Sequence, residues 1–336
     1  MRKMSDFVAF DPELKNSVEE GRARINKILN AISLNSSLDD KVRTLKKELL
    51  DIRLNSTIKE VSSKNVDSKE LNVACGRDHR KIRMRIYKPK SDEDYLPCIY
   101  NIHGGGMIVG DIEEDIPKLS MISEALHSAV VDVDYRLAPE YPYPAGMEDC
   151  YDGLTWISTH SDELNIDPSR IGLLGESAGG GLAAAITLRA RDLHGPKIMF
   201  NALIAPMLDD RNSTLSSKLF AGNWPSWPRE LNLLAWRALL GDLSGSKEVP
   251  KYAAPARARN LQNLPPTYIE VGELEVFRDE DIAYAQRLML NNVPVELHVY
   301  PGTFHGSYNL EPGATISKRA IRNRLDWLQT QLQRRS

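Results

Sequence analysis

The hydrophobic residues of the first 50 positions recur every three or four residues. One stripe contains Leu14, Val18, Ile25, Ile28, Leu29 and Ile32, and a second contains Leu38, Val42, Leu45 and Leu49. This spacing puts apolar side chains on one face of a helix, and the pair Asp11-Pro12 is a typical helix start signal. The pattern predicts two amphipathic helices within residues 1–60, whose apolar faces must cover another part of the molecule.

From about residue 68 the pattern becomes that of β-strands. Ile82, Met84 and Ile86 alternate with polar residues, as in a half-buried strand. Further apolar runs are typical of buried strands: LPCIYNI (96–102), AVVDVDY (129–135), Ile171–Leu174, Met199–Ala205, Tyr268–Val271 and Val295–Tyr300. Helical runs such as Ala178–Arg191 and Asp279–Asn291 separate these strands. The alternation predicts an α/β fold with a mostly parallel sheet covered by helices on both faces.

One segment interrupts this alternation. Asp209–Asp242 carries prolines and tryptophans and then a helical run over Glu230–Leu240. Insertions after strand ends in open α/β sheets lie where ligands bind. We therefore expect an α/β domain over residues 61–336, with a cap insertion at about 209–245 and the helices of residues 1–60 as a second part of the cap.

The stretch RIGLLGESAGGG places a serine between glycines at the end of a strand. Any strand-to-helix turn can recruit glycine and serine, but Gly175–Gly179 also matches G-x-S-x-G, the nucleophile elbow. In an elbow the serine backbone is strained, and small residues two positions before and after it let strand and helix approach. Ser177 is therefore a candidate nucleophile, which needs a base and preorganised hydrogen-bond donors elsewhere in the chain.

A glycine run supplies candidate donors. His103–Gly106 reads HGGG directly after an apolar strand, and the absence of side chains lets backbone N–H groups point into a pocket. One alternative is a flexible glycine loop. A phosphate cradle is disfavoured because no G-K-[ST] follows.

The candidate base is a histidine in the last loop of the domain. VYPGTFHGSYN puts His305 in a turn-rich loop just after a strand, whereas His298 alternates within that strand, which favours a structural role. The remaining histidines, His79, His127, His160 and His194, have no companion motif.

The acid that would orient the histidine should follow the strand Tyr268–Val271. Five carboxylates are available there, Glu273, Glu275, Asp279, Glu280 and Asp281. The last three begin a helix, where acids favour the positive end of the dipole, so we interpret them as capping residues. Glu275 stands in the loop before the helix and gives the chain order Ser177, Glu275, His305. This is the α/β-hydrolase order of nucleophile, acid and histidine.

Taken together, these motifs resemble a known family. HGGG, DYRLAPEYPYPAGMEDC, GESAGGGLAAA, EVFRDEDIAYAQRL and YPGTFHG are similar to motifs of the hormone-sensitive-lipase-like (bacterial family IV) esterases of the α/β-hydrolase superfamily, from about residue 70 to the carboxyl end. The resemblance implies that Ser177 attacks the ester carbonyl and that His305 acts as general base and then as general acid. It also implies an oxyanion hole formed by the N–H groups of Gly105, Gly106 and Ala178.

Two positions depart from the family pattern, and the role of three aromatic residues stays open. Glu176 and Glu275 stand where many members have aspartate, which keeps the carboxylate but changes its reach. The stretch Asp134–Glu140 resembles a family hallmark that braces the loops beneath the site. Three aromatic residues of the predicted cap either pack it on the core or line an acyl pocket; they are Phe220, Trp224 and Trp227.

Composition narrows the class of partner. The formal net charge of −3 gives no electrostatic case for nucleic acid or an anionic membrane surface. No apolar run is long enough to span a bilayer, and the amino terminus lacks the apolar core of a signal peptide. Cys75, Cys98 and Cys150 form no C-x-x-C pair, and their odd number argues against a disulfide framework. We expect a cytoplasmic protein that binds a small molecule, with no metal and no cofactor.

The leading hypothesis is a serine carboxylesterase that hydrolyses short-chain or compact acyl esters through an acyl-enzyme intermediate. The same triad would also serve an amidase, a lactonase or an acyltransferase, since only the leaving group or the acceptor changes. A non-catalytic small-molecule receptor is the alternative of another class, because the gibberellin receptors of plants resemble this family. They lack its catalytic histidine, and the presence of His305 and Ser177 therefore disfavours binding alone. The natural ester and the oligomeric state stay open.

Overall fold

The computed structural model describes residues 9–34, 37–55, 63–76, 79–91 and 93–334. Eight strands and ten α-helices lie within these ranges. The strands are β1 (Val66–Cys75), β2 (Arg80–Pro89), β3 (Leu96–Ile102), β4 (Ala129–Asp134), β5 (Ile166–Glu176), β6 (Asn201–Ile204), β7 (Thr267–Gly272) and β8 (Val295–Tyr300). The helices are α1 (Lys15–Ser33), α2 (Leu38–Asn55), α3 (Ile116–Leu126), α4 (Ala145–Thr159), α5 (Ala178–Leu193), α6 (Leu215–Leu219), α7 (Arg229–Leu240), α8 (Arg278–Leu290), α9 (Ser307–Leu310) and α10 (Thr315–Gln333).

The eight strands form one sheet in the order β1-β2-β4-β3-β5-β6-β7-β8. β2 pairs antiparallel with β1 and with β4, and every pair from β4 to β8 is parallel. The carboxyl ends of the parallel strands therefore meet at one edge of the sheet, where open α/β sheets bind ligands. The predicted mostly parallel sheet is confirmed.

Helices cover both faces of the sheet because the central strands are apolar on both sides. In β3 all seven residues are buried, and the neighbours Ile99 and Tyr100 belong to two different hydrophobic clusters. The larger cluster includes α4 and α5, and the smaller one includes α3 and α10. The chain thus forms the three layers that its alternating pattern predicted.

The first two helices form as predicted, although residues 1–8, 35–36 and 56–60 of the predicted segment lie outside the described residues. Asp11 accepts a hydrogen bond from the Glu13 N–H at 2.9 Å, and a single 3-10 turn leads into α1. The stripe of α1 is buried, with Leu29 half-buried. The start of this stripe, Leu14 and Val18, packs in one cluster with Tyr300 and Phe304. The two helices also reach the segment of residues 209–245, since α2 packs on α7 and α1 contacts the loop at Pro225.

Gly21 allows the closest of these contacts. A Cβ atom at this position of α1 would lie 2.0 Å from the carbonyl oxygen of Pro225, which is backbone and cannot rotate away. Two elements more than 200 residues apart in sequence therefore touch without an intervening side chain. This contact needs a residue with no Cβ, although glycine is a poor helix former.

We expect Gly21→Ala to lower the free energy of unfolding, although alanine is favoured over glycine in a helix interior by about 1 kcal/mol. Overpacking against fixed backbone costs about 1–3 kcal/mol, so the loss should exceed the gain. Gly313→Ala is the matched control, because nothing lies within 4 Å of its new methyl group. Chemical denaturation of both variants measures the difference, and equal or higher stability of Gly21→Ala would contradict the close contact.

Candidate active site

Ser177 occupies a strained turn between β5 and α5. Its backbone has φ 57° and ψ −118°, a region that residues with a side chain rarely adopt. Three hydrogen bonds hold the turn: the Ser177 N–H donates to the Ile204 carbonyl at 2.8 Å, and the Ser177 carbonyl accepts from the N–H groups of Met207 at 2.9 Å and Gly181 at 3.1 Å. The serine is therefore fixed at the carboxyl edge of the sheet, at the amino end of a helix.

The two glycines that flank the serine are needed for space. A Cβ on Gly179 would lie 1.9 Å from the carbonyl oxygen of Ile102, and a Cβ on Gly175 would lie 2.3 Å from the carbonyl oxygen of Gly179. Both neighbours are backbone atoms, so no side chain could be accommodated by a rotamer change. The G-x-S-x-G spacing is thus a steric requirement of a turn in which strand, helix and β3 approach one another.

His305 and Glu275 complete a chain of contacts with Ser177. The Nε2 atom of His305 lies 3.0 Å from the Ser177 Oγ, and its Nδ1 atom lies 2.5 Å from the Glu275 Oε2. The other oxygen of Glu275 accepts a hydrogen bond from the Gly272 N–H at 2.5 Å. Glu275 is 2% exposed, and His305 lies in the loop between β8 and α9. The arrangement is that of a nucleophile, a base and an acid that orients the base.

The other carboxylates near Glu275 have different partners. Glu273 accepts from the Gly302 N–H at 2.9 Å, and Glu280 accepts from the N–H groups of Leu208 and Asp209 at 2.8 and 3.0 Å. Asp281 is fully buried, and burial together with the charges of Glu280 and Glu275 raises its pKa well above the usual range. None of these three contacts His305 among the described residues.

Asp279 lies in the first turn of α8, as predicted, but its carboxylate accepts a hydrogen bond from a different helix. It accepts from the Ser216 N–H at 2.7 Å, in the first turn of α6, and it pairs with Arg278 at 2.8 Å. Burial alone would raise the pKa of Asp279, but the hydrogen bonds to Arg278 and Ser216 outweigh burial and lower it. Asp279 therefore connects α8 to the segment of residues 209–245.

The HGGG loop lies directly against the serine turn. A Cβ on Gly104 would be 3.1 Å from the Glu176 carbonyl oxygen and 3.4 Å from the Ser177 Cβ. Gly105 and Gly106 have φ values of 117° and 62°, which favour glycine. Among the described residues, no backbone carbonyl outside the helices and strands accepts a hydrogen bond from the N–H groups of Gly105, Gly106 or Ala178.

The stretch that resembles a family brace contacts the HGGG loop. The Tyr135 hydroxyl donates to the His103 carbonyl at 3.0 Å, and the two rings stack with centroids 4.2 Å apart. Arg136 pairs with the buried Asp149 at 2.8 Å, which ties the stretch to α4. The Ala138 N–H donates to the Met107 carbonyl at 2.9 Å, on the far side of the glycines.

The three predicted aromatic residues lie in two places around the triad. Trp227 covers Gly106, where a Cβ would be 2.6 Å from the indole ring. Phe220 and Trp224 pack together with centroids 4.7 Å apart, and the Trp224 Nε1 donates to the Leu274 carbonyl at 2.9 Å. The segment of residues 209–245 therefore contacts the HGGG loop through Trp227 and the residue before Glu275 through Trp224.

Phe10 is part of this aromatic cluster, and the sequence interpretation missed it. Its ring lies 5.3 Å from Trp224 and 6.0 Å from Phe304, the residue before His305. The available signal was an aromatic residue immediately before the Asp11-Pro12 start, the position of a hydrophobic staple. Phe10 thus adds to the contacts between the amino-terminal segment and the histidine loop, where Leu14 and Val18 cluster with Phe304.

Comparison with known proteins identifies the family of this chain. A family profile described as the alpha/beta hydrolase fold matches residues 99–309. Esterase LipI of Mycobacterium tuberculosis is 34% identical over 307 residues, which cover 88% of this chain and 91% of LipI. Carboxylesterase NlhH of the same species is 37% identical over 232 residues, which cover 68% of this chain and 72% of NlhH. The chain belongs to the α/β-hydrolase family.

Solved structures extend the likeness of this α/β hydrolase to the whole fold. A structure described as a bacterial heroin esterase has a TM-score of 0.85 and 36% identity, and the match covers 97% of this chain and 99% of the other. Esterase LipW from Mycobacterium marinum has a TM-score of 0.78 and 32% identity, with 88% and 91% covered. The resemblance to hormone-sensitive-lipase-like esterases is confirmed, and the protein is a carboxylic ester hydrolase. A role as a non-catalytic receptor is not favoured.

Two features are absent from the residues of this hydrolase that the structure describes. No helix in those ranges has the length and apolar character required to cross a membrane. No group of three or more histidine, cysteine, aspartate or glutamate side chains in the same ranges has an arrangement that would hold a metal ion.

We expect Glu275→Gln to lower kcat while the melting temperature stays close to that of the parent. The amide keeps the shape of the side chain but removes the charge opposite His305 Nδ1, and in serine hydrolases the equivalent loss costs about 10⁴-fold. The measurement is kcat on one activated ester, together with thermal unfolding.

Asp279→Asn is the matched control for this change. It removes a carboxylate four residues away that contacts Ser216 and Arg278 rather than the histidine. Loss of these hydrogen bonds should cost about 1 kcal/mol of stability and spare turnover. An inactive Asp279→Asn beside a fully active Glu275→Gln would assign the acid to Asp279 instead.

Proposed function

We propose that Ser177, His305 and Glu275 are the catalytic triad of this esterase. His305 takes the proton of the Ser177 hydroxyl as the Oγ attacks the ester carbonyl carbon. It then gives this proton to the leaving alcohol as the carbon–oxygen bond breaks and the acyl-enzyme forms. Water deprotonated by His305 attacks the acyl group, and the returned proton releases Ser177 and the carboxylic acid. The contact of His305 with both Ser177 and Glu275 is the observation that supports this proposal.

The N–H groups of Gly105, Gly106 and Ala178 form the oxyanion hole in this proposal. Each attack places negative charge on the former carbonyl oxygen, and donors already in place stabilise this charge without reorganisation. The approach of Gly104 to Ser177 supports the role of the two neighbouring glycines, and the position of Ala178 at the first turn of α5 adds the helix dipole. Loss of one such donor costs about 10²–10³-fold in kcat.

We propose that the substrates are short-chain or compact acyl esters bound under a cap. The cap consists of the helices of residues 1–60 and the insertion at about 209–245, with the catalytic domain over residues 61–336. Gly21 at Pro225 and Phe10 at Trp224 support the joining of the two cap segments. Trp227 over Gly106 limits the space beside the oxyanion loop. The names of two similar proteins agree with compact acyl groups, namely the bacterial heroin esterase and the acetyl esterase of Salmonella schwarzengrund.

The cellular location and the partner of the enzyme are also part of this proposal. We propose a cytoplasmic enzyme, which the free and buried thiols of Cys75, Cys98 and Cys150 support. Its partner is the ester substrate and not a nucleic acid, because the net charge of −3 gives no basic surface of the required strength. In this proposal the side chains and backbone amides of the chain carry out the hydrolysis without a cofactor.

A serine-directed phosphonate should modify Ser177 and no other residue. The phosphonate mimics the tetrahedral intermediate and reacts only with a nucleophile that has a base and oxyanion donors beside it. Peptide mass spectrometry should show one adduct, on the peptide that contains Ser177, and Ser177→Ala should show neither the adduct nor ester hydrolysis. An adduct on another residue, or full activity of Ser177→Ala, would overturn the triad.

Trp227→Ala should shift the acyl-length preference toward longer chains. Removing the indole opens space beside Gly106, and discrimination by one methylene in such a pocket is worth about tenfold or more. We expect the ratio of kcat/KM for hexanoyl over acetyl esters of one alcohol to rise by about tenfold. Trp156→Ala is the control, because Trp156 lies on α4 and stacks on His160 at 4.3 Å. Unchanged acyl profiles in both variants would remove Trp227 from the acyl pocket.

A further inference from the structure

Glu176 is the residue of the elbow motif that the mechanism leaves without a role. It is the last residue of β5 and directly precedes Ser177. Its carboxylate contacts two distant segments: the Oε1 accepts from the Asn309 Nδ2 at 2.7 Å, and the Oε2 lies 3.2 Å from the Lys118 Nζ. One side chain beside the nucleophile thus joins positions 58 residues before it and 133 residues after it.

The two segments that Glu176 joins carry other parts of the site. Asn309 lies on α9, the short helix that follows His305 after one intervening glycine. Lys118 lies in the first turn of α3, the helix that follows the HGGG loop. The carboxylate therefore connects the end of β5 to the loop that carries His305 and to α3, the helix after the HGGG loop.

The charge of Glu176 is held in place by its surroundings. The side chain is 19% exposed, and burial alone would raise the pKa of Glu176. The positive charges of Lys118 and Arg324 outweigh burial, and the pKa falls to about 2. Glu176 is therefore ionised at neutral pH, and its hydrogen bond from Asn309 is a charge-assisted one, the stronger class.

Both cations near Glu176 are themselves anchored. Lys118 also pairs with Asp115 at 3.1 Å, at the start of α3. Arg324 on α10 pairs with Glu270 of β7 and lies over the Tyr308 ring, with its guanidinium carbon 4.6 Å from the ring centre. Tyr308 and Asn309 are adjacent, so the short helix after His305 is held on one side by the elbow and on the other by α10.

We propose that Glu176 is a positioning residue for catalysis, which keeps the His305 loop in register with Ser177 through Asn309. The proposal rests on the proposed roles of Ser177 and His305. The His305 Nε2 must stay within hydrogen-bond distance of the Ser177 Oγ throughout the reaction, and the two belong to loops that are not covalent neighbours. A misplacement of about 1 Å at such a contact costs on the order of 10²-fold in rate. Glu176 contacts neither Ser177 Oγ nor His305 directly, so its effect is on geometry rather than on substrate binding.

The first experiment is steady-state kinetics of Glu176→Gln on one activated ester, with thermal unfolding of the same sample. The amide keeps the length of the side chain but removes its charge, which weakens the hydrogen bond from Asn309 and the pair with Lys118. We expect kcat to fall by about 10- to 100-fold with KM within about twofold of the parent, because alignment changes while the acyl pocket does not. The rate of phosphonate labelling of Ser177 should fall with kcat.

Asp192→Asn is the matched control for loss of a paired carboxylate. Asp192 lies at the other end of α5, where it pairs with Lys251 and accepts from the Tyr252 hydroxyl, at 2.6 and 2.7 Å. Burial would raise the pKa of Asp192, but its hydrogen bonds and the charge of Arg191 hold it at about 2, as for Glu176. Asp192→Asn should lower the melting temperature without a change in kcat.

Asn309→Ala tests the same path from the other side. Asn309 is exposed, so its removal is compatible with folding. We expect kcat to fall by about 3- to 10-fold, and the loss in the double variant Glu176→Gln/Asn309→Ala to be smaller than the product of the two single losses, since both changes act on the same interaction. Glu176→Asp keeps the charge but is one methylene shorter, and its kcat should lie between those of the parent and Glu176→Gln.

The outcomes separate this inference from the triad. A folded Glu176→Gln with kcat within about twofold of the parent, or losses in the two single variants that multiply in the double variant, would overturn the role of Glu176. If Glu176→Gln does not fold, the kcat of Asn309→Ala tests the inference instead. A kcat equal to that of the parent would overturn the inference, and a reduced kcat would support it. Retained activity of Ser177→Ala would instead overturn the proposed function on which the inference rests.

Discussion

The left-handed backbone of Ser177 is the constraint on which the rest of the site depends. A non-glycine residue adopts this conformation only when its surroundings impose it. Here β5 lies between β3 and β6 at the centre of the sheet, and α5 begins one residue after the serine. Gly175 and Gly179 are needed here because three backbones meet at this turn and leave no space for a side chain at either position. The proposed nucleophile, Ser177, and one proposed oxyanion donor, Ala178, thereby belong to a single turn.

Parallel strand order brings the remaining parts of the site to that turn. β5, β7 and β8 end at the same edge of the sheet, and the loops after them carry Ser177, Glu275 and His305. A sheet fixes the ends of its strands well, but it does not fix the loops. Hydrogen bonds from backbone N–H groups to loop carboxylates do this: Glu275 accepts from Gly272 at the end of β7, and Glu273 accepts from Gly302 in the histidine loop. The acids after β7 are therefore used mainly to hold loop geometry.

Two segments that are remote in sequence cover this edge of the sheet. The first comes from the start of the chain and the second from the insertion after β6, and each is amphipathic. Gly21 against Pro225 and Phe10 against Trp224 show that they cover each other as well as the core. The two segments thus contact each other, and in the proposed cap the shape of the acyl pocket would depend on the stability of this contact.

Local patterns in the chain were enough to predict the fold class, the two amino-terminal helices, the strands from β2 to β8 and the elbow, whereas β1 was missed. Such patterns reflect the spacing of apolar residues along a helix or strand and the space that a turn requires, and both depend on residues that are close in sequence. The order Ser177, Glu275, His305 could be recognised for the same reason. Side-chain pairing across the sheet edge had no local signal: Asp279 caps α6, Phe10 reaches Trp224, and Glu176 joins Lys118 to Asn309. Only the tertiary structure decided these contacts, because they depend on which loops the strand order places side by side.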